Sequence, residues 1–449
     1  TYTGKWGEHS LTATAVYEAT SYEVREMSIS GNNLQNEDLV GWWNVKMASE
    51  INASNGYGRT AMMSGVARVS YNYGDRYIFT GTFRVDGSSM FSRNKWGYFP
   101  SGAFAWSVGN ERFMQNQDIV QDLKLRVSYG LIGNQGIGRY DTLGLMESIQ
   151  YAFGTDKYYN GYWPGVSPTP DLKWETTRQF DAGIDVSFWN SRINVTLDYF
   201  YKMTHDGLIQ MSVPDFYGGG TYWTNAAQVN NRGFEFMVDA LLVEKGGFSW
   251  NTTVTGSTLK NNVVYLADGL EFIDGPKLDT SIFGSEPVTR VMPGHPIGAF
   301  YGYVWTGLDE NGRDTYLDMP DENGNVDGII DSNDRTWIGD PNPDFTLGWN
   351  NTFRYRNWTL NLFFSGSFGA DKLNAVRFLG SNRTGGHYFF TLKEAWDDNF
   401  DNKGQAGRYP GVNSDGNQYY VNSSKYIESA DYFRLENLSL SYTLPKKVL

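Results

Sequence analysis

The chain has 449 residues, a formal net charge of −13, no cysteine and 16% aromatic residues. The absent thiols exclude thiolate nucleophiles and thiolate metal sites, and the acidic balance argues against nucleic acid as a partner, since phosphate contacts need a basic surface. No stretch approaches the ~18 to 20 apolar residues of a membrane-spanning helix, which leaves a soluble protein or a β-barrel, where alternation disperses the apolar residues.

The chain opens on polar residues, Thr1 to Gly7, without the apolar segment of a signal peptide. A fragment of an exported protein is therefore expected. A weak strand pattern over 9–22 comes next, then a short helical pattern over 36–47. Strands follow at 66–73 and 77–86, joined at Asn72-Tyr73-Gly74-Asp75, and at 101–108. Period two is clear from Leu123 to Leu131, where Leu123, Leu125, Val127, Tyr129 and Leu131 oppose Lys124, Arg126, Ser128 and Gly130. Residues 142–169 read as a long loop. Phe180, Ala182, Ile184, Val186 and Phe188 then oppose Asp181, Gly183, Asp185 and Ser187. After the turn Trp189-Asn190-Ser191, Ile193, Val195, Leu197, Tyr199 and Tyr201 oppose Asn194, Thr196, Asp198 and Lys202, which makes a hairpin. A second long loop is predicted at 206–231. Strands 233–243 and 248–260 flank Lys245-Gly246-Gly247, and strands 345–355 and 358–368 flank Arg356-Asn357. Long loops fill 266–344 and 370–429, the latter with a short helix near 392–399, before a strand at 433–444.

About a dozen strands result, most near the 9 to 11 residues that a tilted membrane strand needs, whereas sandwich strands run nearer 5 or 6. Asp181, Asp185, Asp198, Lys202, Glu235 and Asp239 crowd the polar faces. A dry core would impose a large desolvation penalty on them, while a water-filled lumen accepts them. Short turns alternating with long loops fit an outer-membrane barrel with periplasmic turns and outer loops. The fold class read here is all-β, a large antiparallel transmembrane β-barrel, with residues 1–449 forming part of one domain.

One local motif carries metal chemistry. In NGNVDGIIDSND, Asn323, Asn325, Asp327, Gly328, Ile329, Asp331 and Asp334 fall at positions 1, 3, 5, 6, 7, 9 and 12 of an EF-hand-like loop. Side-chain oxygens at alternate positions and the Ile329 carbonyl would converge on Ca²⁺ or Mg²⁺. Asn at two positions and Asp at the last predict weak binding, and a plain Asx turn cluster is the competing account.

The runs GRTAMMSGVARVSYNYGDRYIFTGTFRVDGSSMF, KWGYFPSGAFAWSVGNERFM, LKLRVSYGLIGNQGIGRY, LKWETTRQFDAGIDVSFWNSRINVTLDYFYKMTHDGLI, NNRGFEFMVDA, GHPIGAFYGYVWTGL and DGIIDSNDRTWIGDPNPDFTLGWNNTF occur in this order from Arg59 onwards. Together they resemble the SusC/RagA-like TonB-dependent outer-membrane transporters of Bacteroidetes. The resemblance implies a 22-stranded barrel in the outer membrane around an N-terminal plug. It also implies energy from TonB, a SusD-like surface lipoprotein as lid, and import of an oligosaccharide or peptide. The TonB box, the plug, the N-terminal domain and the last strands have no counterpart among these residues. Loop aromatics Trp42, Trp43, Trp163, Tyr217, Tyr222 and Trp223 could stack on sugar rings, of which Trp163, Tyr217, Tyr222 and Trp223 are the ligand-binding candidates. Loop packing, the lid partner or the membrane interface would use them equally well. Lumenal charges, Arg84, Asp86, Asp181, Asp185, Asp198 and Lys202, would contact a plug or simply line a wet wall.

An enzyme is not expected: the four histidines are scattered and no metalloprotease, nucleophile-elbow or phosphate-loop motif appears. Three alternatives stay open: a lidless siderophore or vitamin receptor, an outer-membrane structural or adhesion barrel that moves nothing, and a secreted β-rich carbohydrate-active enzyme.

Overall fold

The computed structural model describes residues 1–34, 44–152, 157–214, 216, 219–267, 269–278, 286–321, 323–381, 391–411 and 419–445. Its dominant feature is an antiparallel wall in which neighbours in space are neighbours in sequence. The wall strands are β1 (Tyr2–Trp6), β2 (His9–Leu34), β3 (Ala48–Tyr73), β4 (Tyr77–Ser88), β5 (Trp96–Ser107), β6 (Val120–Asn134) and β7 (Glu175–Phe188). They continue as β8 (Ile193–Ser212), β9 (Thr221–Lys245), β10 (Phe248–Thr258), β11 (Phe345–Tyr355), β12 (Trp358–Phe368) and β13 (Tyr432–Tyr442). Among the described residues, β1 and β13 are the two edges of this path.

The connections alternate between the two ends. At one end, tight turns join β1 to β2, β3 to β4, β7 to β8, β9 to β10 and β11 to β12. Hairpins that follow the strand twist need left-handed turn residues. Trp189, Asn190 and Ser191 supply them at φ 50°, 56° and 58°, and Asp75 and Arg356 at 53° and 51°. All four turns expected from the sequence lie at this end. Residues 108–119, with two 3₁₀ turns, join β5 to β6 at this end too, and the other end carries the loops predicted at 142–169, 266–344 and 370–429.

Alternation sorts the two faces. Tyr129, Leu197, Phe79 and Phe83 are 50%, 43%, 50% and 48% exposed. Exposed apolar side chains in cross-strand register are what a lipid-facing surface requires. The opposite face carries Arg126, Asp185, Asp198 and Asp239. Aromatic residues gather at the turn end, where Tyr77 stacks on Trp106, Trp250 on Phe353, and Trp358 meets Tyr442. They form one interfacial belt.

Several strands outrun their predicted bounds. The loop predicted at 206–231 is mostly strand: β8 runs to Ser212 and β9 starts at Thr221. The 9–22 strand extends to Leu34 and pairs along its length with β3. Above the bilayer no apolar face is required, so backbone pairing continues while the alternation fades. The loop predicted at 142–169 contains the hairpin Leu145–Ala152 with Tyr158–Val166. β1 has no signature in the sequence, because its five residues are too few to show a period. Of the helix predicted at 36–47, residues 36–43 lie outside the described residues and Val45–Met47 form one 3₁₀ turn. The helix near 392–399 is Lys393–Asp397.

Candidate functional site

The first element of the site is the polar face of the wall. Arg126 on β6 reaches Asp185 on β7 (Nε to Oδ2, 2.7 Å) and Asp198 on β8 (Nη2 to Oδ1, 3.0 Å). Register brings them together, because Arg126 lies opposite Gly183 and Gly183 opposite Asp198. Thr196 donates to Asp185, Ser128 and Gln179 donate to Asp181, and Thr253 donates to Asp239 at 2.7 Å. On β4, Arg84 pairs with Asp86 at 2.6 Å. Asp181, Asp185, Asp198 and Asp239 are thus held by cross-strand donors, as a wetted polar surface allows. Lys202, also expected here, lies over the Phe200 ring at 5.1 Å.

The second element is a cap at the loop end, built from 266–344 and 370–429. These loops fold together. Phe300–Tyr303 pairs with Arg335–Gly339, Trp305–Leu308 with Asp314–Tyr316, and Asp371–Leu373 with Ile427–Ser429. Tyr303 N–H donates to the Asn422 carbonyl at 2.9 Å, and the Tyr303 ring stacks on Tyr420 at 4.0 Å. Val288, Phe378, Val421 and Tyr426 form its apolar centre. At its heart Lys425 Nζ meets Asp314 Oδ1 at 2.6 Å with both side chains fully buried. The indole of Trp305 also donates to Asp314, and the rings of Trp305, Tyr409 and Tyr426 lie 5.2–5.7 Å from Lys425 Nζ. Burial lowers the Lys425 pKa, and the Asp314 charge opposes that shift. Burial pushes the Tyr303 and Tyr409 hydroxyls up to about 12 and raises Tyr426 further. No sequence pattern flagged this pair, whose partners stand 111 residues apart.

The ligand-binding candidates fall in a third group. Trp163 sits on Tyr158–Val166, opposite Glu147 and half-buried. That strand touches β9 through Val166 and Thr221, in parallel, so Tyr222 and Trp223 run on from the bridge in the direction away from Trp163. Trp223 packs on the buried cluster of Phe91, Phe99, Ile137, Leu172 and Trp174. The Tyr222 hydroxyl donates to the Met211 sulfur at 3.6 Å. Packing therefore accounts for much of both rings. Tyr217, Trp42 and Trp43 lie outside the described residues.

In the 323–334 loop the carboxylates accept backbone N–H groups. Asp327 takes Ile329, Asp331 takes Asn333, and the buried Asp334 takes both Met319 and Asp331. Asp321, absent from the predicted ligand set, accepts from Asn323 and Asn325, which holds its pKa below the usual carboxylate range. Among the described residues no three His, Cys, Asp or Glu side chains converge as a metal would require. The structure places Asn323, Asn325, Asp327, Ile329, Asp331 and Asp334 in a run of successive turns closed by side-chain-to-backbone hydrogen bonds.

The wall and cap have close counterparts. The family model for TonB dependent receptor-like β-barrels matches residues 1–366. The TonB-dependent receptor P3 of Formosa agariphila is 33% identical over 100% of this chain and 45% of its own length. The TonB-dependent receptor SusC of Bacteroides thetaiotaomicron is 30% identical over 86% of the chain and 38% of its own length. The RagAB peptide transporter structure matches with a TM-score of 0.85 at 23% identity, over 100% of this chain and 48% of that one. The chain thus spans under half the length of the relatives it matches. With its lipid-facing strands, wet inner face and one-sided loops, the chain belongs to the TonB-dependent receptor-like β-barrel family, as a SusC/RagA-like wall of the outer membrane.

Proposed function

We propose that the protein containing this wall imports an oligomeric nutrient, a glycan or a peptide, across the outer membrane with energy from TonB. The observation that carries this reading is the junction of a continuous polar face with a cap made of two folded loops, in a chain of the receptor family. A polar face at the bilayer level has no use in a solid wall, and it suits a solute that passes in water. The cap offers a broad surface at the outer end. A SusD-like surface lipoprotein would cover it, a reading that the likeness to SusC and to RagAB supports. RagAB is a peptide transporter, and the likeness supports a peptide as one of the two cargo classes. Weak Ca²⁺ or Mg²⁺ binding by the 323–334 loop belongs to the same proposal and rests on its spacing.

The test is genetic and biochemical together. A deletion strain is expected to lose growth on one class of oligomeric source and to recover with the full-length gene. The protein purified from outer membranes is expected to bring one lipoprotein with it. Unchanged growth on every glycan and peptide source would overturn the import reading.

A further inference from the structure

The lipid-facing surface carries a notch that the import reading does not use. β10 and the segment Lys260–Leu266 follow each other along β9 in one register, Glu235 opposite Ser257 and Arg232 opposite Lys260, with a break in the strand only at Leu259. β11 covers β10 only as far as Thr258, opposite Phe345, and among the described residues no strand flanks Lys260–Leu266 on that side, which leaves a notch above Phe345 and beside Asp344. The chains still approach closely below it. A Cβ at Gly233 would stand 1.9 Å from the Thr258 carbonyl oxygen, so only glycine fits there. The resulting cavity has about 490 Å³ and is lined by Tyr199, Arg232, Phe234, Leu259, Lys260 and Asp344 among others.

Register fixes its face. Tyr199 lies opposite Phe234, Tyr201 opposite Arg232, and Arg232 opposite Lys260. Cross-strand partners share a face, and this one continues through Leu197, Phe236, Val195 and Val238, away from Asp198 and Glu235. Two cations therefore stand on the apolar side. Among the described residues neither Arg232 nor Lys260 has a carboxylate within ion-pair distance, Asp344 included. Their height is set by the belt at the turn end. Lys260 stands ten residues beyond Trp250, which is about the 9 to 11 residues of one crossing. The notch thus opens at the outer-leaflet headgroup level, with rings below and cations above.

We propose that this notch binds the phosphorylated sugar headgroup of an outer-leaflet glycolipid. Arg232 and Lys260 take the phosphate, and Tyr199, Phe234 and Leu259 cover the start of an acyl chain. Two cations that merely snorkel to the interface would explain the charges, but they need no cavity between them and an apolar floor. A phosphate is the complement of two uncompensated cations, and Arg is suited to its bidentate recognition.

The experiment is native mass spectrometry of the full-length receptor, extracted from outer membranes, with monophosphorylated lipid A as the probe. Arg232→Gln with Lys260→Gln is expected to weaken binding about tenfold or more, since hydrogen bonds to charged groups are the stronger kind. Each single variant is expected to lie in between, which keeps the test open if the double variant fails to insert. Exchanging the two residues, Arg232→Lys with Lys260→Arg, retains binding, as does Lys202→Gln on the opposite face. Lipid A stripped of phosphate is expected to bind the wild type as weakly as lipid A binds the double variant. Equal binding of lipid A to wild type and variants, or of the phosphate-free form or phosphatidylglycerol to the wild type, would overturn the assignment.

Discussion

Replacing Asp314 by Asn keeps the shape of the side chain and removes its charge. Lys425, fully buried against it, then keeps an unpaired ammonium or gives up its proton. The attraction lost at 2.6 Å is about 6 kcal/mol gross at an effective dielectric constant near 20. Deprotonation limits the damage, because bringing an ordinary lysine to neutrality at pH 7.5 costs about 4 kcal/mol, three units at 1.36 each. The expected net cost is therefore about 3–4 kcal/mol, in line with single-partner removal from buried pairs. It falls on the cap and spares the wall, whose hydrogen bonds run strand to strand. Hydrogen exchange in detergent reads this out. Amides in 300–316 and 419–429 are expected to exchange on the order of 10²- to 10³-fold faster, while 193–205 keep their protection. Asp314→Leu with Lys425→Met is expected to recover most of the loss, since apolar replacements of similar volume often match a buried pair. Wild-type protection in Asp314→Asn, or no recovery in the double variant, would refute the reasoning.

Other outcomes follow from the same structure. Raising the pH is expected to melt the cap between pH 10 and about 12. Tyr303 and Tyr409 titrate near 10 when unfolded and at about 12 when folded, so the stability they contribute is intact below 10 and lost as the unfolded state ionises first, about 2.7 kcal/mol each. Lys425 works with the opposite sign, because its folded pKa is lowered and the cost of its charge fades as pH rises. Beyond the rise from the exposed tyrosines, absorbance at 295 nm is expected to show a second, cooperative rise that coincides with loss of cap protection; cap protection lost without that second rise would contradict the burial of these tyrosines. Gly302→Ala places a Cβ 1.6 Å from the Asn422 carbonyl and is expected to cost about 1–3 kcal/mol or more, as overpacking does, by parting the Tyr303–Asn422 contact; unchanged exchange in 419–429 would count against it. Calcium at 10 mM is expected to raise the melting point of the cap, with about 1.4 kcal/mol of stabilisation if the dissociation constant is near 1 mM. No shift would leave the 323–334 loop as a turn network only.

Much of the wall is legible in the sequence because a membrane barrel writes its two solvents into alternate residues. Leu123 to Leu131 and Ile193 to Tyr201 each need lipid on one side and water on the other, so the period survives in the letters. The turns are legible because left-handed positions draw Gly, Asn and Asp, although Trp189 and Ser191 also adopt that conformation here. Where lipid no longer touches the strands, as in β2 beyond Tyr22 and in β8 beyond His205, the period fades and strand reads as loop. The acids of the lumenal face are visible in the sequence; that Arg126 joins Asp185 and Asp198 is a matter of register. The candidate ligand aromatics show the same limit, since Trp223 has the composition of a binding residue and the position of a packing one.

By itself, then, the sequence determined that these residues form an outer-membrane wall with one short end and one long end, because side-chain period and turn chemistry are local properties. The tertiary structure decided what the long end is. Asp314 and Lys425 are far apart in sequence and become partners only when 266–344 and 370–429 fold together. Arg232 and Lys260 become neighbours only through the register that carries the chain past β10 along β9. Pairing of distant segments depends on shape and burial across the whole cap, and no residue type records it in advance.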